Sequence, residues 1–219
     1  MNPRPGVLLD VDGTLMDTTY LHTIAWARAL ADLGHAAPMH AIHRLVGMGG
    51  DQLVPELLGR DVEGATDAWR VRYDELRDEA TPLDSAHDLV AALHGLGLAV
   101  VLATSSPADL VRTVIDRLDI GDLIDGVTTA DDVASSKPDP GVFEAAIRAG
   151  SIDPGCVLAV GDSVWDVRAA RAAGVGCIGL ETGGFSRHEL AEDGAIAVYR
   201  NPSELLAQLL TSPIAILVG

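Results

Sequence analysis

Hydrophobic positions along this chain follow two rhythms. Short apolar runs at Gly6–Val11, Leu98–Ala103, Val157–Val160 and Val175–Leu180 read as buried strands. Ile124–Thr128 is a weaker fifth candidate and Ala195–Tyr199 a peripheral one. Between them apolar residues recur at helical spacing: Leu89, Ala92, Leu93 and Leu96, then Leu110, Val114, Ile115 and Leu118, then Phe143, Ala146 and Ile147. Ser85-x-x-Asp88, Ser106-Pro107-x-Asp109 and Ser163-x-x-Asp166 mark helix starts of capping-box type. Alternation of this kind predicts an α/β fold, a parallel sheet with helices on both faces.

One stretch breaks the alternation. From Thr18 to Thr81 the pattern is helical and holds no good strand. Trp26, Leu30 and Leu33 share a face, as do Trp69, Tyr73 and Leu76. Gly47-Met48-Gly49-Gly50 reads as a flexible interruption between helices. The predicted division is an α/β core at residues 1–17 and 82–219, with a small helical insert at 18–81 placed after the first strand. Pro82 marks the return to the core.

Composition narrows the partners. At 219 residues the chain has room for one large domain, or a core plus a smaller insert. Its net charge of -17 repels nucleic acid and anionic membranes, so neither is an expected partner. The same field repels an anionic substrate unless cations are concentrated locally. Cys156 and Cys177 sit beside apolar runs and read as buried, reduced thiols. The run Val7–Leu9 is cut short by Asp10, so no secretory signal is visible, and the tail Ile214–Val218 is too short to span a bilayer. The expectation is a cytoplasmic monomer or homodimer. Lysine is nearly absent: the 15 basic residues are 14 arginines and Lys137. A compact ammonium can sit where a guanidinium cannot.

Candidate chemistry lies at the ends of the predicted strands. Asp10 and Asp12, in Asp10-Val11-Asp12-Gly13-Thr14, are two apart and so face one side of a strand end. In open α/β sheets that edge binds ligands. Adjacent carboxylates repel, and Mg²⁺, a hard cation preferring carboxylate and phosphate oxygens, suits them. Alone, this motif is also compatible with a turn capped by aspartates. The second strand ends at Thr104-Ser105-Ser106-Pro107, where a hydroxyl and free N–H groups open a helix. Ser106 reads as an ordinary cap, which leaves the Thr104 hydroxyl available to a phosphate oxygen. Lys137 opens another helix and can supply the positive charge a phosphate site needs. After the fourth strand, Asp162 adds a carboxylate to the metal site, while Asp166 also reads as closing a cap with Ser163.

Together these motifs resemble those of the haloacid dehalogenase superfamily of phosphohydrolases, over nearly the whole chain. Its four motifs match Asp10-x-Asp12-Gly13-Thr14, Thr104, Lys137-Pro138 and Gly161-Asp162-Ser163-x-x-Asp166. The resemblance implies a Rossmann-like, five-stranded parallel core with a mobile four-helix cap. It further implies Asp10 as nucleophile and Asp12 as acid and base. Mg²⁺ would be held by the Asp10 carboxylate, the Asp12 carbonyl and Asp162. Asp166 would orient Lys137 or bind metal water, and Thr104, the Ser105 N–H and Lys137 would stabilise the transferring phosphoryl group. The expected activity is hydrolysis of a small phosphate monoester such as phosphoglycolate or a sugar phosphate.

Three relatives in chemistry compete. The metal-free dehalogenase branch lacks the second aspartate of the first motif, present here as Asp12. A sugar-phosphate mutase of the β-phosphoglucomutase type fits Tyr20-Leu21-His22-Thr23-Ile24-Ala25-Trp26. Such a mutase places an arginine in a Gly-x-Ser-Arg loop, whereas the matching Gly47–Gly50 loop carries no cation. Arg44 is the neighbouring cation that could reach the cleft. A phospho-receiver domain shares the paired acids, hydroxyl and lysine, but is shorter and has no helical insert. The residues expected to read the leaving group are His22, Arg44, Gly47, Gly49, Gly50 and Asp51, with the glycines forming an adaptable loop.

Overall fold

A computed structural model describes residues 3–219. Along the chain, β1 (Arg4–Leu9) and the two-residue β2 (Met16–Asp17) come first. Four helices follow: α1 (Thr19–Asp32), α2 (Met39–His43), α3 (Gly50–Leu58) and α4 (Ala65–Asp74). The short β3 (Thr81–Pro82) pairs antiparallel with β2, tying together the two ends of this helical excursion. Helices and strands then alternate as α5 (Ala86–Gly95), β4 (Ala99–Ala103), α6 (Ala108–Leu118), β5 (Gly126–Thr128), α7 (Gly141–Ala149) and β6 (Ile152–Gly161). The series ends with α8 (Val164–Ala172), β7 (Gly176–Leu180), α9 (Arg187–Asp193), β8 (Ala197–Tyr199) and α10 (Pro202–Ala207).

The main sheet is parallel, in the order β5-β4-β1-β6-β7-β8. It has six strands rather than the expected five, because the peripheral segment before Tyr199 pairs beside β7 at the edge. Pleat alternation divides the core. Val7 and Leu9 of β1 point to one face, with Val100, Leu102, Leu89 of α5 and Leu205 of α10. Leu8 points to the other, with Val101, Phe143 of α7, Val167 of α8 and Cys177. Each fully buried aliphatic side chain in these layers contributes roughly 2 kcal/mol.

Helices α1–α4 enclose a third apolar cluster around Trp26, Leu30, Leu53, Trp69 and Tyr73, which also takes in Leu110 of α6. Leu33, expected on the same face, lies just past the end of α1 and is 37% exposed. Only one of the three expected capping boxes forms, Ser163 with Asp166 at α8. Ser85 has φ +63° and makes no capping bond; its hydroxyl meets that of Ser203 instead. At α6 the N-cap is Pro107, and the Ser106 hydroxyl is used elsewhere.

Register fixes where the site lies. Leu9 of β1 is flanked by Leu102 of β4 and Val160 of β6. The next residues along these strands therefore emerge at one edge of the sheet.

Candidate active site

Asp10 extends β1 by one bond, its N–H donating to Val160 O at 3.0 Å. Thr104 does the same for β4, donating to Thr128 O at 3.1 Å. After Asp12 the chain turns sharply at Gly13, where φ is +82°. A Cβ there would stand 2.2 Å from Asp162 Oδ2, so the turn needs glycine for both its conformation and its neighbour. The Thr14 hydroxyl donates to Asp162 Oδ1 at 2.9 Å. The Gly-Thr after the paired aspartates thus seats Asp162, a role the sequence reading did not assign.

Beneath Asp10 lies Lys137, wholly buried. Its Nζ is 2.5 Å from Asp10 Oδ1 and 2.8 Å from Asp166 Oδ1, and it donates to Ala103 O at 2.8 Å. The Asp166 contact is an ion pair without hydrogen-bond alignment, which leaves that oxygen without a donor. Asp166 Oδ2 accepts from the Ser163 N–H and hydroxyl, so the residue both caps α8 and flanks Lys137. Burial lowers the lysine's proton affinity, but Asp10 and Asp166 outweigh it and hold the ammonium charged.

The acids do not all behave alike. Burial pushes the Asp10 carboxyl up, Lys137 pulls it back, and the balance lies at about 7. Burial and then the charges of Asp10 and Asp166 carry Asp162 well above the carboxylate range, against the Thr14 hydrogen bond. Asp12 goes the other way. Burial raises it, but His22, Ser106 and Thr18 outweigh burial and keep it ionised far below the usual range. Its Oδ1 accepts from Thr18 Oγ1 at 2.7 Å and His22 Nε2 at 3.0 Å, and its Oδ2 from Ser106 Oγ at 2.6 Å. Ser106 is drawn from capping by this anionic acceptor.

Oxygens of Asp10, Asp162 and Asp166 all lie within 4.8 Å of one another, and all three residues are buried. Three carboxylates around one ammonium leave local negative charge, and one of their oxygens has no donor. Such a hard-oxygen donor set fits Mg²⁺. The Asp12 carboxylate stands apart from this cluster, turned toward His22.

A cavity of about 300 Å³ opens above Asp10. Its floor includes Asp10, Asp12, Thr104 and Ser105, and the helical side contributes His22, Trp26, Gly47, Gly49, Gly50, Asp51 and Trp69. Thr104 Oγ1 accepts from the Ser106 N–H at 3.0 Å, so its own hydrogen is free to donate. His22 stacks on Tyr73 at 4.3 Å. The glycine loop is packed rather than adaptable: a Cβ on Gly47 would lie 2.7 Å from Ser163 Oγ, and one on Gly49 2.2 Å from Ser136 Oγ. Asp51 Oδ2 accepts from the Ser136 N–H at 3.0 Å, and Gln52 Nε2 donates to Ser135 Oγ at 2.8 Å. Arg44 does not reach the cavity. Its guanidinium lies 4.0 Å over the Phe185 ring and 2.5 Å from Glu189 Oε1, partners that no local sequence pattern places beside it. Trp26 and Trp69, read from the sequence only as apolar helix faces, line the cavity as well.

Known proteins match this chain in sequence and in fold. A model of haloacid dehalogenase-like hydrolases matches residues 5–174. A phosphoglycolate phosphatase from Pseudomonas fluorescens is 28% identical, across 91% of this chain and 78% of its own. One from Rhodospirillum rubrum is 31% identical, across 88% and 86%. The crystal structure of a hydrolase from Pseudomonas syringae has a TM-score of 0.89 and 31% identity, covering 94% of this chain and 98% of that one. A match running from β1 past α8, over Asp10, Thr104, Lys137 and Asp162, means that the chain belongs to the haloacid dehalogenase-like hydrolases.

Proposed function

We propose that this phosphatase cleaves small phosphate monoesters, of the phosphoglycolate or sugar-phosphate type, through a covalent phosphate on Asp10. The observation that carries this reading is the Asp10 carboxylate on the cavity floor, 2.5 Å from a wholly buried ammonium and sharing that floor with Thr104. The Asp10 oxygen attacks phosphorus and the bond from phosphorus to the leaving oxygen breaks. Asp12, ionised in the free chain and held by the Thr18, His22 and Ser106 donors, takes up the proton that a monoanionic ester brings in and passes it to the leaving oxygen. Asp12 then accepts a proton from water as that water attacks the acyl phosphate. Breaking of the bond between phosphorus and Asp10 releases inorganic phosphate and restores the carboxylate. Asp10, the Asp12 carbonyl and Asp162 would hold Mg²⁺, with Asp166 beside it. When bound, the cation supplies positive charge opposite the phosphoryl oxygens. Thr104 and the Ser105 N–H bind and orient the same group, and the Lys137 ammonium supplies positive charge from beneath Asp10.

In this reading helices α1–α4 form a cap, residues 18–81, over a core of 1–17 and 82–219, and close water out of the cavity. The mutase alternative needs a grip on a second phosphate, and among the described residues no arginine or lysine lines the cavity. The test is Asp10→Asn. Turnover of p-nitrophenyl phosphate should fall by at least about 10³-fold with the melting temperature retained, and acid-quenched wild type should carry hydroxylamine-labile phosphate that the variant lacks. Activity surviving in the variant would exclude Asp10 as nucleophile.

A further inference from the structure

The core and helical sides of the cavity differ in charge. The core side has Lys137 beneath Asp10 and the carboxylates that would hold Mg²⁺. The helical side contributes Trp26, Trp69, Thr66 and the glycine loop, together with Asp51, a solvent-exposed residue. Asp51 is fixed there by the Ser136 N–H. Three arginines of the helical segment are committed elsewhere. Arg44 pairs with Glu189, Arg70 with Asp74 and Asp109, and Arg72 with Asp32 and Glu75. His22 gives its Nε2 to Asp12.

A carboxylate or second phosphate on the leaving group would therefore share the cavity with Asp12 and Asp51, and among the described residues no arginine or lysine lines it to offset them. Like charges oppose binding. An uncharged alcohol meets different surroundings. Asp51 and Thr66 can accept or exchange hydrogen bonds with hydroxyls, and two indoles offer flat apolar walls to carbon faces. Resting on the phosphatase reading, we propose that the cap end selects phosphate esters of uncharged, hydroxylated alcohols, polyol or sugar monophosphates, and rejects leaving groups that carry a carboxylate or a second phosphate. Asp51 acts as a specificity-determining residue. The selection separates this chain from the substrate named for its curated relatives, whose leaving group bears a carboxylate.

The experiment uses the full chain with Mg²⁺ and esters matched in carbon skeleton. 2-Hydroxyethyl phosphate is set against 2-phosphoglycolate, and glycerol 3-phosphate against 3-phosphoglycerate, with p-nitrophenyl phosphate as a generic ester. The neutral member of each pair should have at least a tenfold higher kcat/KM. Asp51→Asn should shrink that ratio at least threefold, mainly by lowering KM for the carboxylate esters. A carboxylate ester cleaved as well as its partner overturns the selection. So does p-nitrophenyl phosphate turnover with neither neutral ester cleaved, and a ratio unchanged in Asp51→Asn removes Asp51 from the role. No turnover of p-nitrophenyl phosphate under any condition counts against the phosphatase reading itself.

Discussion

Lys137 sits where three oxygens converge, from Asp10, Asp166 and the Ala103 carbonyl, with no exposed surface of its own. A guanidinium is wider, planar and forked, and it cannot put one nitrogen at that point without displacing a neighbour. Lys137→Arg should lower kcat at least about 100-fold in a steady-state assay, and near-normal kcat would show that the site needs only a charge. The neighbouring acids set a second expectation, for metal-free protein. Asp10 titrates at about 7 against an ordinary 3.8, and Asp162 is raised as well. The folded chain therefore holds these protons more tightly than the unfolded chain does. Stability from this source is full below the ordinary carboxylate range and is lost as pH rises through about 7. Metal-free protein should melt lower at pH 8 than at pH 5.5, and added Mg²⁺ should raise Tm more at pH 8, where it competes with fewer protons. Equal Mg²⁺ shifts at both pH values, by calorimetry, would contradict this.

At the scale of elements, the end of α2 and the segment joining it to α3 bear on the start of α8 and the loop that follows β7. Trp165 Nε1 donates to Arg44 O at 3.0 Å, and His43 Nε2 to Gly183 O at 2.9 Å. Gly49 lies against Ser136, the residue before Lys137. Gly49→Ala should lower kcat/KM about tenfold by pushing that seam apart, and Ser136→Gly in the same chain should restore most of it. Failure of the second change to rescue would mean that the loop acts in some other way. The strand tips were legible in the sequence because apolar runs and the polar residues that end them are local features. Asp10, Thr104 and Asp162 could be set on one edge from strand alternation alone. The fifth and sixth strands were faint because edge strands are short and half-exposed. The destinations of Ser106 and Arg44 were not legible. Each depends on a distant partner, Asp12 for the serine, 94 residues away, and Glu189 for the arginine, 145 residues away. The glycines were visible as glycines, but close packing and flexibility leave the same letters in a sequence.

For the whole molecule the governing quantity is its charge of -17, which opposes every phosphate ester that approaches. Its cations are spent mostly in surface pairs, such as Arg72 with Asp32 and Arg168 with Asp193. Each such pair adds less than about 1 kcal/mol, and none neutralises the long-range field. Raising ionic strength from about 20 to 200 mM, at saturating Mg²⁺, shortens the Debye length from roughly 20 to 7 Å. It should increase kcat/KM for a dianionic ester severalfold while leaving kcat nearly unchanged. A fall in kcat/KM over that range would mean that local cations already dominate the approach. Among the described residues no helix is long and apolar enough to cross a membrane.

The burial of Lys137 has a consequence for covalent labelling. It is the chain's single side-chain amine, and in the folded state it is sealed from solvent and held protonated. Acylating reagents that tag or crosslink other proteins through surface lysines find no such handle here. Acylation at this position therefore marks a molecule whose cavity floor has come apart, and its rate counts openings one chain at a time.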